Sequence, residues 1–218
     1  MFAFSPPRPP LPADLLAKVR PVSLAGSRRL PLDEPWSGLV PGASLRRGSL
    51  VVVEAAPGLG GLSLALSLLT GASRAGHWAA VVGVDDPGVM AMAELGVDLR
   101  RVLFVPRPRG AWAESAADLL DGVDLLVVRP PGRAASSSAR RLADRVRESG
   151  VVLVVLTETR AAWPTPADLS FTITRARWAA SSRLDARYLN VRVAGRGEAS
   201  RVGEHVIVLP SQRGRAEN

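Results

Sequence analysis

The sequence predicts an α/β domain: a mostly parallel sheet with helices on both faces and a C-terminal antiparallel extension. Three observations predict it. Apolar runs without alternation, at 50–54, 78–84, 102–105, 124–128 and 151–156, have the length and composition of strands buried on both faces. Segments of helical length lie between them, which gives the strand–helix–strand rhythm of a parallel sheet. After about residue 168 the pattern changes, and the runs 169–174, 188–193 and 205–209 alternate apolar with polar residues, with a turn at Gly195-Arg196-Gly197. A chain of 218 residues is one domain by default, with room for a sizeable core.

Each element has a local reason. Residues 1–10 are Pro-rich and read as a loose or extended arm; the same run, to Pro12, also has the composition of a polyproline ligand. Residues 13–19 read as a short helix with Leu15, Leu16 and Val19 on one face. Residues 21–49, rich in Pro, Gly, Ser and Arg, read as an irregular lead-in. The strand at 50–54 runs into a Gly-rich loop at 57–61 and then a helix at 62–73, closed near Gly76. A helix at 87–95 has Pro near its start and Gly96 at its end. A further helix covers 112–120. The helix at 138–148 places Ala139, Leu142, Ala143 and Val146 on one face and stops at Gly150. The organisation expected is an arm and N-terminal helix at 1–35, a core domain at 36–210 and a disordered polar tail at 211–218.

Composition narrows the chemistry. There is no cysteine, which removes disulfides, thiolate metal sites and a cysteine nucleophile. His77 and His205 are the two histidines, too few for a zinc cluster. No apolar run reaches the roughly 18 residues of a membrane span, and proline interrupts the N-terminus too early for a signal peptide, so a cytoplasmic protein without a membrane partner is expected. The net charge of +8 favours an anionic partner, nucleic acid or an acidic protein surface, against the plainer reading of a solvated arginine-rich face. Lys18 is the one lysine.

A strand, a Gly-rich loop and a helix in that order form the setting of a phosphate-binding loop. The pattern needs Gly, four residues, then Gly-Lys-Ser/Thr. Here Ala55 replaces the first glycine, Gly60 is the second, Gly61 replaces the lysine and Leu62 replaces the hydroxyl that holds magnesium. The lysine is the charge that reaches the β- and γ-phosphates. An exchange of lysine for arginine would leave a cation, yet no Arg, His or Lys lies from Val51 to Ser73. Gly61-Leu62-Ser63-Leu64-Ala65 also partly matches a nucleophile elbow, but Ser63 falls inside the helix instead of at a strand–helix tip.

The chain resembles the RecA superfamily, and within it the ImuA-type proteins of bacterial damage-inducible mutagenesis, in the shortened ImuA′ form of mycobacteria. The resemblance spans roughly 36–193. It rests on residues 42–50 before the loop, 93–103, Ala111-Trp112-Ala113, 123–128 and 153–160, in that order. It implies a RecA-like fold. It also implies that Arg129 stands at the Walker B acidic position, that Glu158 stands near the polar sensor, and that Asp85 or Asp86 lies where a water-activating carboxylate is expected. The plainer role of these two aspartates is an N-cap ahead of Pro87. A cation at position 129 opposes metal binding. The implied function is a non-catalytic accessory protein of translesion DNA synthesis, a pseudo-ATPase without a cofactor. It would act with an ImuB-type Y-family polymerase homologue and indirectly with an error-prone C-family polymerase. The alternative is a DNA-binding RecA-like ATPase or regulator of recombination.

Two surfaces are expected to serve partners. Arg133, Arg140, Arg141, Arg160, Arg175, Arg177, Arg183 and Arg187 are the candidate DNA contacts, with solvated faces as their plainer reading. Trp163 and Trp178 are candidates for base stacking or partner contact, against core packing. Leu15, Leu16 and Val19 are the candidate docking face of the N-terminal segment, against packing on the chain's own core.

Overall fold

β3 (Leu50–Ala55) is the strand from which the sheet is built. Its residues Leu50, Val51, Val52 and Val53 are each at most 2% exposed, because helices cover both faces and strands pair along both edges. In the computed structural model, which describes residues 28–108, 112–180, 184–196 and 203–209, β3 pairs in parallel with β7 (Val152–Thr157) and with β8 (Leu169–Ala180). Beyond β7 come β6 (Leu125–Val128), β4 (Ala79–Val82) and the edge strand β5 (Val102–Val105), all parallel. On the other side β9 (Leu184–Gly195) runs antiparallel to β8, and β10 (Gly203–Val208) antiparallel to β9. The order is β10-β9-β8-β3-β7-β6-β4-β5. The expected mostly parallel sheet with a C-terminal antiparallel extension is therefore what forms, with β8 the parallel strand that carries the extension.

Alternate residues of β3 feed two cores. Val51 and Val53 join the face covered by α2 (Gly61–Ser67), α3 (Leu69–Arg74) and α4 (Val89–Leu95). Leu50 and Val52 join the face covered by α5 (Trp112–Leu119) and α6 (Ser136–Ser149). The α6 stripe of Ala139, Leu142, Ala143 and Val146 is buried as its spacing predicts, and Gly150 ends the helix at φ 76°.

Three local expectations are corrected. The single helix expected over 62–73 is two, α2 and α3, meeting at Leu68. Ser67 lies at the junction; its hydroxyl donates to the Leu64 carbonyl at 2.7 Å and accepts the Trp36 indole N–H at 2.9 Å, a back-bonding arrangement that bends helices. The helix expected from Pro87 starts at Val89, and neither aspartate caps it. The Asp86 carboxylate accepts from Gly88 N–H at 3.0 Å in the turn before the helix, and Asp85 meets Arg107 at 3.3 Å. The lead-in over 21–49 is not irregular throughout: β1 (Arg29–Pro31) pairs with β2 (Ser44–Arg46), and α1 (Trp36–Leu39) lies between them.

Residues 29–35, expected in the arm, thus belong to the core. Leu30, Leu32, Trp36 and Leu45 are buried, and the Trp36 ring packs edge-on to Phe171 with centroids 5.5 Å apart. The approach is so close that a Cβ on Gly71 of α3 would lie 2.6 Å from the Pro31 carbonyl oxygen. The expected helix at 13–19, with Leu15, Leu16 and Val19, and the tail at 211–218 lie outside the described residues.

One carboxylate ties the amino edge of the sheet together. Asp124, ahead of β6, accepts from Arg47 at 2.5 Å and from Trp78 N–H at 3.0 Å, and lies 3.4 Å from His77 Nδ1. Burial pushes its pKa up. The Arg47 hydrogen bond, the Trp78 N–H and the charges of Arg47 and His77 together outweigh that and hold it below the ordinary value.

Two outcomes follow for folding. Gly71→Ala would stabilise an isolated helix by about 0.5–1 kcal/mol. Here the clash with the Pro31 backbone turns that into a loss of about 1–3 kcal/mol, read by urea unfolding. Asp124→Asn costs about 1–2 kcal/mol near neutral pH. Because the folded carboxyl has the lower pKa, its contribution is complete above the unfolded value of about 3.9. It is lost as pH falls through the folded value, so the gap between wild type and variant closes in acid.

Candidate functional site

Ligands of open parallel sheets sit outside the carboxyl ends of the strands. At that edge residues 56–60 join β3 to α2, in the position expected of a phosphate loop. Gly60 adopts φ 93°, and α2 begins at Gly61. A Cβ added to Gly61 would lie 2.6 Å from the Ala55 methyl and 3.1 Å from Leu156 Cδ1. The two replacements read from the sequence are therefore one packing event: the methyl at the first glycine position occupies the space from which a lysine at position 61 would leave the backbone. Leu62, at the hydroxyl position, is half-buried and packs on the core beside α2. Ser63 lies within α2, which leaves no nucleophile elbow.

Cations do reach this loop, from distant parts of the chain. Arg187 on β9 donates from Nη2 to the Gly58 carbonyl oxygen. Its Nη1 stands 3.1 Å from where a Gly60 Cβ would be, and its guanidinium stacks on the Trp178 ring at 5.2 Å. Burial lowers its pKa. Arg129, just past β6, pairs with Glu158, just past β7, at 3.2 Å. The loop cavity that results is about 270 Å³ and is lined by both arginines, Glu158 and Thr157. Thr157 Oγ1 is buried without a hydrogen-bond partner. The arrangement presents a triphosphate with a cation already engaged by a backbone carbonyl, an anion–cation pair at the metal position and no hydroxyl at position 62, the hydroxyls of the lining being Ser63 and Thr157. These residues do not fit a magnesium-bound nucleotide.

A wider cleft of about 740 Å³ adjoins the loop cavity and shares Arg129, Leu156, Thr157 and Glu158 with it. Pro106, Pro108, Pro130 and Pro131 line it together with Trp112, Arg107 and Arg133. Its walls are the segments after β4, β5, β6 and β7, so it spans the carboxyl edge.

The candidate DNA residues do not converge on one surface. Arg133 reaches the cleft, and Arg160 is exposed in the turn after β7. Arg140 and Arg141 lie exposed on the outer side of α6, consistent with a solvated face. β8 and β9 continue as a two-stranded ribbon past the end of β3, and Arg175 and Arg177 are exposed on it, Arg177 over the Tyr188 ring at 4.2 Å. Arg183 lies outside the described residues. Arg187 is turned to the loop, not outward. Trp163 is corrected from a surface candidate to a core residue: it is 3% exposed and packs against Trp112 with centroids 6.2 Å apart. Trp178 is 42% exposed and remains at the surface beside Arg187. Sequence reading missed Arg187 and Arg129 as lining of one cavity, since they come from strands far apart in the chain.

Among the described residues no helix is long and apolar enough to cross a membrane. The fold is shared with the KaiC-like protein PH0186 of Pyrococcus horikoshii, at a TM-score of 0.61 and 16% identity over 87% of this chain and 98% of that one. This likeness establishes a RecA-like α/β fold. The uncharacterized protein Rv3395c of Mycobacterium tuberculosis is 38% identical over 125 residues, which is 53% of this chain and 61% of that protein. Residues 38–165, from α1 to the turn after β7, match the family described as the MT3502 N-terminal domain, and the chain belongs to that family.

Proposed function

We propose that the protein is a non-catalytic RecA-like scaffold of damage-induced translesion DNA synthesis, working in the cytoplasm by binding an ImuB-type Y-family polymerase homologue. Through that protein it would serve an error-prone C-family polymerase. The observation that carries the non-catalytic part is the Ala55–Gly61 contact, which removes the space for the lysine. Arg187 on the Gly58 carbonyl and the Arg129–Glu158 pair support the same reading from two other strands. The segments that resemble ImuA-type proteins are what supports the pathway.

With ATP chemistry gone, the carboxyl edge keeps the other use of the fold, which is to present surfaces. The proline-lined cleft and the exposed Trp178 of the β8–β9 ribbon are partly apolar, as protein contacts require.

Calorimetry with magnesium and ATP should show no binding, and micromolar affinity would overturn the reading. Gly61→Lys should not create binding and should cost about 1–3 kcal/mol by overpacking. Ala55→Gly together with Gly61→Lys should recover most of that loss. Co-expression with an ImuB-type protein should give a complex that survives purification, and separate elution of the two would count against the scaffold role.

A further inference from the structure

We infer that the amino edge of the sheet, opposite the phosphate-loop position, is a binding site for single-stranded nucleic acid, with phosphates held by Arg28, Arg46 and Arg196 and a base stacked on Trp78. This inference does not depend on the scaffold reading.

A pocket of about 790 Å³ opens at this edge, between the β1–β2 sheet and the start of β8. Five arginines line it, against one carboxylate, Asp168. Asp168 is committed to the fold, accepting from Leu50 N–H at 2.8 Å. Arg47 is neutralised by Asp124. Arg28, Arg46 and Arg196 are exposed and have no ion-pair partner among the described residues. Arg46 stands directly opposite Arg29 across the small sheet, so positive charge is concentrated on one face of it. The segment 1–27 carries Arg8, Lys18 and Arg20 against Asp14, so it is basic itself and not the electrostatic complement of this pocket.

Beyond the pocket the same edge of the sheet runs on to Trp78, ahead of β4. Arg47, which lines the pocket, pairs with Asp124, and the same carboxylate accepts the Trp78 N–H. Trp78 is 40% exposed, and the Arg101 guanidinium lies 5.2 Å from its ring. From β8 to β5 the edge crosses five strand spacings, about 24 Å. Separate cationic and aromatic stations on one track are what a single strand uses: phosphates on arginine, a base face on an aromatic ring. An acidic peptide would satisfy the arginines and leave the indole idle, so nucleic acid is the better fit.

The test is fluorescence anisotropy of the full chain with labelled oligo(dT) of about 15 nucleotides across a salt series. Arg28→Ser, Arg46→Ser and Arg196→Ser combined should flatten the log–log salt slope by about 2, since each phosphate no longer neutralised by an arginine changes the slope by about 0.7. Trp78→Leu should weaken binding about tenfold, and Trp78→Phe should restore most of it. Near-UV circular dichroism checks that each variant is folded. Wild-type affinity in the triple variant overturns the proposal. So does loss of binding in Arg140→Ser/Arg141→Ser with the amino edge intact, or binding of polyglutamate in preference to the oligonucleotide.

Discussion

The double burial of β3 is the constraint from which the rest of the molecule follows. A strand with neighbours on both edges and helices on both faces leaves no freedom at its ends: the chain must enter at one sheet edge and leave at the other. Its amino end is fixed by the Asp168 carboxylate on Leu50 N–H, and its carboxyl end delivers Ala55 against Gly61. The basic pocket and the altered phosphate loop are therefore the two ends of one rigid element. The β1–β2 sheet and Trp36 close over one face of it, and α6 closes over the other.

Electrostatics divide along the same axis. At the carboxyl edge Arg129 is engaged by Glu158 and Arg187 by the Gly58 carbonyl and the Trp178 ring, while Arg133 and Arg160 stay exposed. At the amino edge Asp124 gathers Arg47, His77 and Trp78 into a framework, while Arg28, Arg46 and Arg196 stay exposed. The surplus charge of the chain is thus not spread evenly. The two arginines that line the loop cavity are engaged, and three of the five that line the amino-edge pocket are exposed.

The sheet was legible in the sequence because strands buried on both faces write themselves as unbroken apolar runs, and because Gly96 and Gly150 close helices where left-handed backbone is needed. β1, α1 and β2 were not legible, since elements of three or four residues carry no period to detect. In the candidate site the losses at Ala55, Gly61, Leu62 and Arg129 could be read position by position. Their steric coupling could not, nor could the arrival of Arg187, because strand pairing over more than a hundred residues is a tertiary fact. Trp163 went to the core for a similar reason: its partner, Trp112, belongs to α5, far back in the chain. The basic pocket was invisible for the same cause, being assembled from residues 28–47 and from Asp168, Leu169 and Arg196.

The contact between Ala55 and Gly61 also bears on how such a chain changes over generations. Once a methyl sits at position 55, any side chain at 61 meets it, so a lysine placed there alone damages packing. A glycine at 55 alone opens a small void. The two steps are each unfavourable singly, a sign epistasis written in van der Waals radii. A single substitution at either position therefore costs packing, and the two must change together for the loop to take another shape.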